Sequence, residues 1–437
     1  MKILIKNGRV VDPANHLDGI FDILIEDSWI KKIAENIPIE PDKLIDAKDK
    51  IILPGLVDMH VHLREPGRED KETVASGTKA ALKGGITSIL AMPNTEPAID
   101  SAENVRLLKE IIQKTSHCRV FICGAITKKR QGKELTDIFG LKSAGAIAIS
   151  DDGNCVEDET LMLLALKKAK AAEILVISHC EDKSISQKGQ VNFGLTSTRM
   201  GLRGIPKEAE YKIVRREINL AEKIDTPLHI AHVSCQESLE IIAEAKKKGL
   251  KITAEVTPHH FTLTEEAVLN YDTNMKVNPP LRSKEDVLAI KMALKNGIID
   301  CIASDHAPHT ENEKEIEFER AEFGTIGLET SLAVAITELV NPGILDWQEL
   351  VKQMALNPAR ILGIDRGTLG IDKEADLIIV DPNKEWIVQK KDFLSQSKNS
   401  AFLGRRLKGK VEYTILAGKI VYAEDGNSKR NYLGNKR

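Results

Sequence analysis

The chain has 437 residues, a formal net charge of -3, 42% hydrophobic and 29% charged residues. This is an ordinary globular composition, too long for one small core and suited to a barrel of about 250 residues with an accessory domain. It offers no basic stripe for nucleic acid, no apolar run of about 18 residues to span a membrane, and no apolar N-terminal run long enough for a signal peptide, so a cytoplasmic location is expected.

The first zone, residues 1–52, carries short β-type runs at Ile3–Ile5 and Ile23–Ile25 and a weaker one from Trp29 to Ile33, broken by Gly8, Pro13 and Asp27. The central zone, 53–365, contains eight apolar, β-rich runs at 56–62, 86–92, 118–126, 145–150, 174–179, 227–233, 251–257 and 298–304. Helical patterns separate most of them, at Lys71–Lys83, Glu103–Lys114, Glu157–Ala172, Glu208–Lys223 and Gln236–Lys248. Eight such alternations predict a (β/α)8 TIM barrel, and no GxGxxG follows the first strand to favour a dinucleotide fold. The last zone, 366–437, returns to strands at Leu377–Val380, Val411–Leu416 and Lys419–Tyr422. Neither end supplies enough strands for a sheet alone, so the two are expected to pair into one small β-sandwich domain. The polar stretch 183–207 is expected to be a long loop near the active face. The charge run Glu311–Arg320 reads as a solvated helix or mobile loop. The six cysteines form no CxxC pair and are expected to be reduced and buried.

In a barrel, chemistry sits at the C-terminal ends of the strands. His60 and His62 end the first strand and, two apart, point the same way. Asp151-Asp152 end the fourth strand, His179 the fifth, His232 the sixth and Asp305 the eighth. Imidazoles and carboxylates converging on one rim form a ligand set for zinc or a similar divalent metal. Spacing alone does not choose between Asp151 and Asp152. Arg64, two residues beyond His62, leans over the same rim, where a guanidinium suits bidentate capture of a carboxylate. His259 and His260 are expected to pack or hydrogen-bond rather than to bind metal.

The order HxH, carboxylate, His, His, Asp resembles the amidohydrolase superfamily. Asp58–Gly67 (DMHVHLREPG), Ala91–Thr95 (AMPNT), Ala254–His260 (AEVTPHH), Asn278–Arg282 (NPPLR) and Ala303–His309 (ASDHAPH) narrow it to the type I dihydroorotases, over roughly residues 1 to 425. The resemblance implies that His60, His62, Asp152, His179, His232 and Asp305 bind one or two Zn2+, with Asp152 bridging. It implies substrate contacts from His62, Arg64, Asn94, Asn278, His309, Phe323 and Gly324. It also implies reversible cyclisation of N-carbamoyl-L-aspartate to L-dihydroorotate and water, the third step of pyrimidine (UMP) biosynthesis. A metal there would lower the pKa of water from 15.7 to about 7, and Asp305 fits as the proton shuttle between water and ring nitrogen. Some relatives of this form work with aspartate transcarbamoylase, and that partner and a homodimer are expectations here. The rival readings are an allantoinase or hydantoinase, and a non-catalytic scaffold; the filled ligand positions argue against the scaffold.

Overall fold

The computed structural model describes residues 1–424; the tail expected to extend the terminal β domain, 425–437, lies outside the described residues. Eight parallel strands follow one another in hydrogen-bonded order: Leu56–Val61, Ile86–Ala91, Arg119–Gly124, Ala146–Ile149, Leu175–Ser178, Leu228–Ile230, Ile252–Val256 and Cys301–Ile302. Each lies within one of the eight apolar runs. A parallel bridge between Val61 and His306, with His62 N–H donating to His306 O at 2.9 Å, joins the last strand to the first and closes the barrel. The buried Asp58 carboxylate ties the same seam by accepting from the amides of His60 and Ser304 at 3.2 and 3.1 Å.

Alternation along the barrel strands separates two cores. Val57, Met59, Leu90, Cys123, Ala148 and Ile177 fill one cluster, while Leu56, Ile89, Ile122, Ile149 and Val176 join the larger one with the helices. The helices start where caps direct them: Thr73 and Ser76 box the first, Val74–Lys83, and Ser101 and Asp158 cap Ala102–Thr115 and Glu159–Ala172.

The two ends of the chain do pair. Eight strands, Lys2–Asp12, Leu17–Glu26, Trp29–Ala34, Lys43–Asp46, Ile51–Pro54, Leu377–Ile387, Arg406–Leu416 and Lys419–Ala423, form one mixed sheet. The join is the antiparallel pairing of Ile51–Pro54 with Leu377–Val380. Period-2 alternation splits this seam as well: Ile52, Leu377 and Ile379 face the sheet's own core, and Ile51, Leu53, Ile378 and Val380 face the barrel's.

Two stretches differ from expectation, the second only in part. Residues 183–207 are not one open loop: they hold helices Lys183–Ser186 and Leu195–Met200 and a parallel pair, Val191–Asn192 with Gly204–Ile205. The charge run at 311–320 does open with a helix, Glu311–Lys314, and exposes most of its charges, but Lys314 and Phe318 are buried and tie it down. All six cysteines are free and buried, as expected. Among the described residues, no helix is long and apolar enough to cross a membrane.

Candidate active site

At the C-terminal rim, a register shift between Asp58 and Val61 re-aims the end of the first strand. The rings of His60 and His62 come to 5.3 Å between centroids. Asp152 arrives on the turn after the fourth strand, in which Asn154 N–H bonds Asp151 O at 2.7 Å. His179, His232 and Asp305 follow the fifth, sixth and eighth strands. Arg64, His232 and Asp305 have φ of 61°, 33° and 45°, a left-handed backbone that non-glycine residues rarely adopt and that gathers at functional rims.

Asp152 is the centre of the cluster. Its Oδ2 lies 3.4 Å from His60 Nε2 and 3.5 Å from His62 Nε2, while its Oδ1 lies 3.4 Å from His179 Nδ1 and 3.3 Å from His232 Nε2. Each oxygen thus serves one histidine pair. Asp305 Oδ1 joins the first pair, 3.0 Å from His62 Nε2 and 3.6 Å from His60 Nε2. Asp151 turns away: its carboxylate accepts from Thr127 N–H at 2.9 Å and from the Thr127 hydroxyl.

This donor set fits a divalent metal. Nε2 of His60 is buried without a hydrogen-bond partner and faces two carboxylates, as a ligand nitrogen would. The electrostatics also call for a cation. Burial opposes the charge on Asp152 and Asp305, yet the surrounding histidines hold both carboxyls below their ordinary range. Burial likewise disfavours charge on His60 and His179, but Asp152, with Glu255 and Glu181, raises the first well above its usual value and the second to about 9. Metal binding would release those protons.

Arg64 is half-buried above the cluster, its guanidinium lowered by desolvation to about 10. Its Nε donates to Pro308 O at 3.2 Å, and its Nη2 is 3.3 Å from His309 Nε2. Asn94 Oδ1 is 2.8 Å from His62 Nδ1. Asn278 donates to Glu181 at 3.1 Å, and Glu181 lies 3.3 Å from His179 Nε2. The Phe323 carbonyl is 2.9 Å from His309 Nε2. Gly324, at φ +143°, lies so close to Ala307 that an added Cβ would come within 2.8 Å of its carbonyl oxygen.

A family model described as Dihydro-orotase-like matches residues 49–238. A dihydroorotase of Elusimicrobium minutum is 53% identical over 420 residues, covering 96% of this chain and 97% of the relative, and one of Syntrophus aciditrophicus is 49% identical over 97% and 100%. The chain belongs to the dihydroorotase family. Among solved structures, an L-hydantoinase (dihydropyrimidinase) from Arthrobacter aurescens superimposes with a TM-score of 0.88 at 26% identity, covering 97% and 96% of the two chains. A dihydropyrimidinase from Brevibacillus agri gives 0.86 at 23% over 97% and 95%, a likeness of fold.

In this dihydroorotase-family chain the six expected metal residues share one cluster, and Arg64, Asn94, Asn278, His309, Phe323 and Gly324 stand around it by the contacts above. His260 hydrogen-bonds, as expected, to Thr257 Oγ1 at 2.8 Å and Pro279 O at 2.9 Å. Sequence reasoning missed the buried carboxylates that orient the imidazoles. Glu255 lies 2.5 Å from His60 Nδ1 and 3.3 Å from His229 Nε2; burial opposes its charge, but those histidines hold it at about 2. Such carboxylate–histidine pairs fix which ring nitrogen faces a metal. The only available signal was polar: Glu255 interrupts the apolar run 251–257.

Proposed function

We propose that this cyclic amidohydrolase is a zinc-dependent dihydroorotase that interconverts N-carbamoyl-L-aspartate and L-dihydroorotate plus water. The observation that carries the metal reading is the divided carboxylate of Asp152, one oxygen to His60 and His62 and the other to His179 and His232. That arrangement suits a bridge between two ions, with Asp305 completing the first set.

When bound, zinc supplies Lewis acidity for a carbonyl oxygen and lowers the pKa of water. The protein's own residues do the rest. Asp305, held as a carboxylate beside His62, takes a proton from water and returns it to the ring nitrogen as the amide bond breaks; in the cyclising direction the proton runs the other way. Arg64, Asn94 and His309 hold the carboxylate that does not react, and Phe323 and Gly324 line the same side through their backbone. Fixed donors of this kind orient the substrate at no cost when the reaction occurs.

The fold is shared with hydantoinases, but at 23–26% identity, against 45–53% for the dihydroorotases. The deciding experiment is turnover by purified, chelator-treated protein with and without added zinc. Dihydroorotate hydrolysis restored by zinc is expected. Faster turnover of hydantoin or allantoin than of dihydroorotate would overturn the substrate assignment.

A further inference from the structure

The imidazole of His309 is 5% exposed and meets four groups through its two nitrogens. Nδ1 lies 3.1 Å from Lys71 Nζ and 3.5 Å from Glu313 Oε2. Nε2 lies 2.9 Å from the Phe323 carbonyl oxygen and 3.3 Å from Arg64 Nη2. Burial, reinforced by the cations of Arg64, Lys71 and Lys314, lowers this histidine to about 3 against the pull of Glu313, so the ring is neutral. A neutral imidazole has one N–H and one lone pair, so it can satisfy only one pair of these contacts at a time.

With the proton on Nδ1, the ring would donate to Glu313 at 3.5 Å and accept from Arg64 at 3.3 Å. The Lys71 ammonium would then point donors at an N–H, and the Phe323 carbonyl would face a lone pair. With the proton on Nε2, Nδ1 accepts from Lys71 at 3.1 Å and Nε2 donates to Phe323 O at 2.9 Å. The second arrangement is shorter at both nitrogens and opposes no like groups at Lys71 or Phe323. Lys71 is also anchored. It is 6% exposed, and its ammonium is 2.9 Å from Glu313 Oε1, which takes Arg68 at 2.7 Å as well.

We infer that Lys71 is a positioning residue that sets the tautomer of His309. By donating to Nδ1 it places the single ring proton on Nε2, next to Arg64 Nη2. Two donors 3.3 Å apart cannot bond each other; an anionic oxygen seated against both accepts from Arg64 and shares the Nε2 proton with the Phe323 carbonyl. The inference rests on the reading of Arg64 and His309 as the carboxylate-binding pair. Lys71 itself lies on the loop before Val74–Lys83 and acts through the histidine.

The test is 15N NMR of histidine-labelled holoenzyme without substrate, with the His309 signals identified by their loss in His309→Gln. Wild type is expected to show an unprotonated Nδ1 and a protonated Nε2. Lys71→Met should shift the ring toward Nδ1–H and raise KM for dihydroorotate about tenfold, with kcat within about threefold and zinc content unchanged. Lys71→Arg, also donor-only, should restore both signatures, and Glu313→Gln should keep the proton on Nε2. A proton on Nδ1 in wild type, an unchanged ring in Lys71→Met, or a shifted ring with unchanged KM overturns the inference. If Lys71→Met does not fold, the wild-type spectrum decides, since the Glu313 carboxylate can only accept from Nδ1–H and a proton found there would make Glu313 the partner. The tautomer is read without turnover, so failure to hydrolyse dihydroorotate would sink the proposed function and leave the assignment of the ring proton standing.

Discussion

Two adjacent aspartates at the rim have opposite duties, and mutation should separate them. Asp152 faces four imidazoles, whereas Asp151 is bonded to Thr127. Asp152→Ala is expected to lose most of the zinc and the activity with it. Asp151→Ala should keep near-stoichiometric zinc and instead cost about 1–3 kcal/mol of stability, because it leaves the Thr127 donors unpaired. Elemental analysis and thermal melting on the same samples check both, and equal zinc loss would contradict the assignment. Arg64→Lys removes the fork geometry and should cost about 2–4 kcal/mol in kcat/KM while leaving metal content intact, as steady-state kinetics would show. The histidines were legible because strand-end position and the HxH spacing carry meaning without a partner in view. The choice between Asp151 and Asp152 rested on resemblance, since adjacent residues in a turn have no periodicity to separate them. Glu255 was not legible, because a carboxylate that orients a ring from another strand has no local pattern; Glu181, two residues after His179, had a local spacing that was overlooked.

The barrel strands were legible because they are mostly buried on both faces and read as near-continuous apolar runs, with Arg119–Phe121 half-buried. The charge run Glu311–Arg320 was legible in part: it opens with a helix and exposes most of its charges, as expected, but its anchoring was not. Its charges suggest solvent, but two buried lysines hold the backbone of Thr310–Gly324. Lys276 Nζ donates to the carbonyls of Phe318, Glu319 and Ala321 at 2.7, 3.1 and 2.6 Å, and Lys314 Nζ donates to those of Glu322 and Gly324 at 2.7 and 3.0 Å. An ammonium satisfied by backbone oxygens leaves no charge pattern to read. Lys276→Met should therefore free this segment. The expected outcome is proteolytic cleavage within 310–324 under conditions where the wild type resists, with about 2–4 kcal/mol lost from the three unpaired carbonyls. Resistance equal to that of wild type would show that other contacts suffice.

At the scale of the molecule, the C-terminal zone also reaches the site. Asn399, 5% exposed, accepts from His309 N–H and donates to the carbonyls of Ala307 and Gly324, each at 3.1 Å. One side chain from outside the barrel thus fixes two of its rim loops. Asn399→Asp keeps the acceptor and loses both donors, so kcat/KM should fall about 10- to 100-fold with zinc retained; kinetics within twofold of wild type would disprove the coupling. The pairing of the two ends was legible from strand arithmetic, but this contact was not, because nothing local marks a loop asparagine as a partner for residues some ninety positions away. The overall reaction also sets a pH dependence. Ring closure turns two ionised carboxylates into one and consumes a proton, so the apparent equilibrium should move about tenfold toward dihydroorotate for each unit of pH decrease. Hydrolysis and cyclisation rates should show mirror-image pH profiles, measured from either direction; parallel profiles would contradict a shared proton shuttle.

The seam between Ile51–Pro54 and Leu377–Val380 has a consequence in time. A ribosome must add roughly 320 residues after Pro54 before Leu377 exists. At about 5–20 residues per second, the edge of Ile51–Pro54 waits roughly a quarter of a minute to a minute for its partner. During that interval the nascent chain presents an open apolar strand to its surroundings, which makes it a candidate client for chaperones and a site where newly made copies could pair with each other instead.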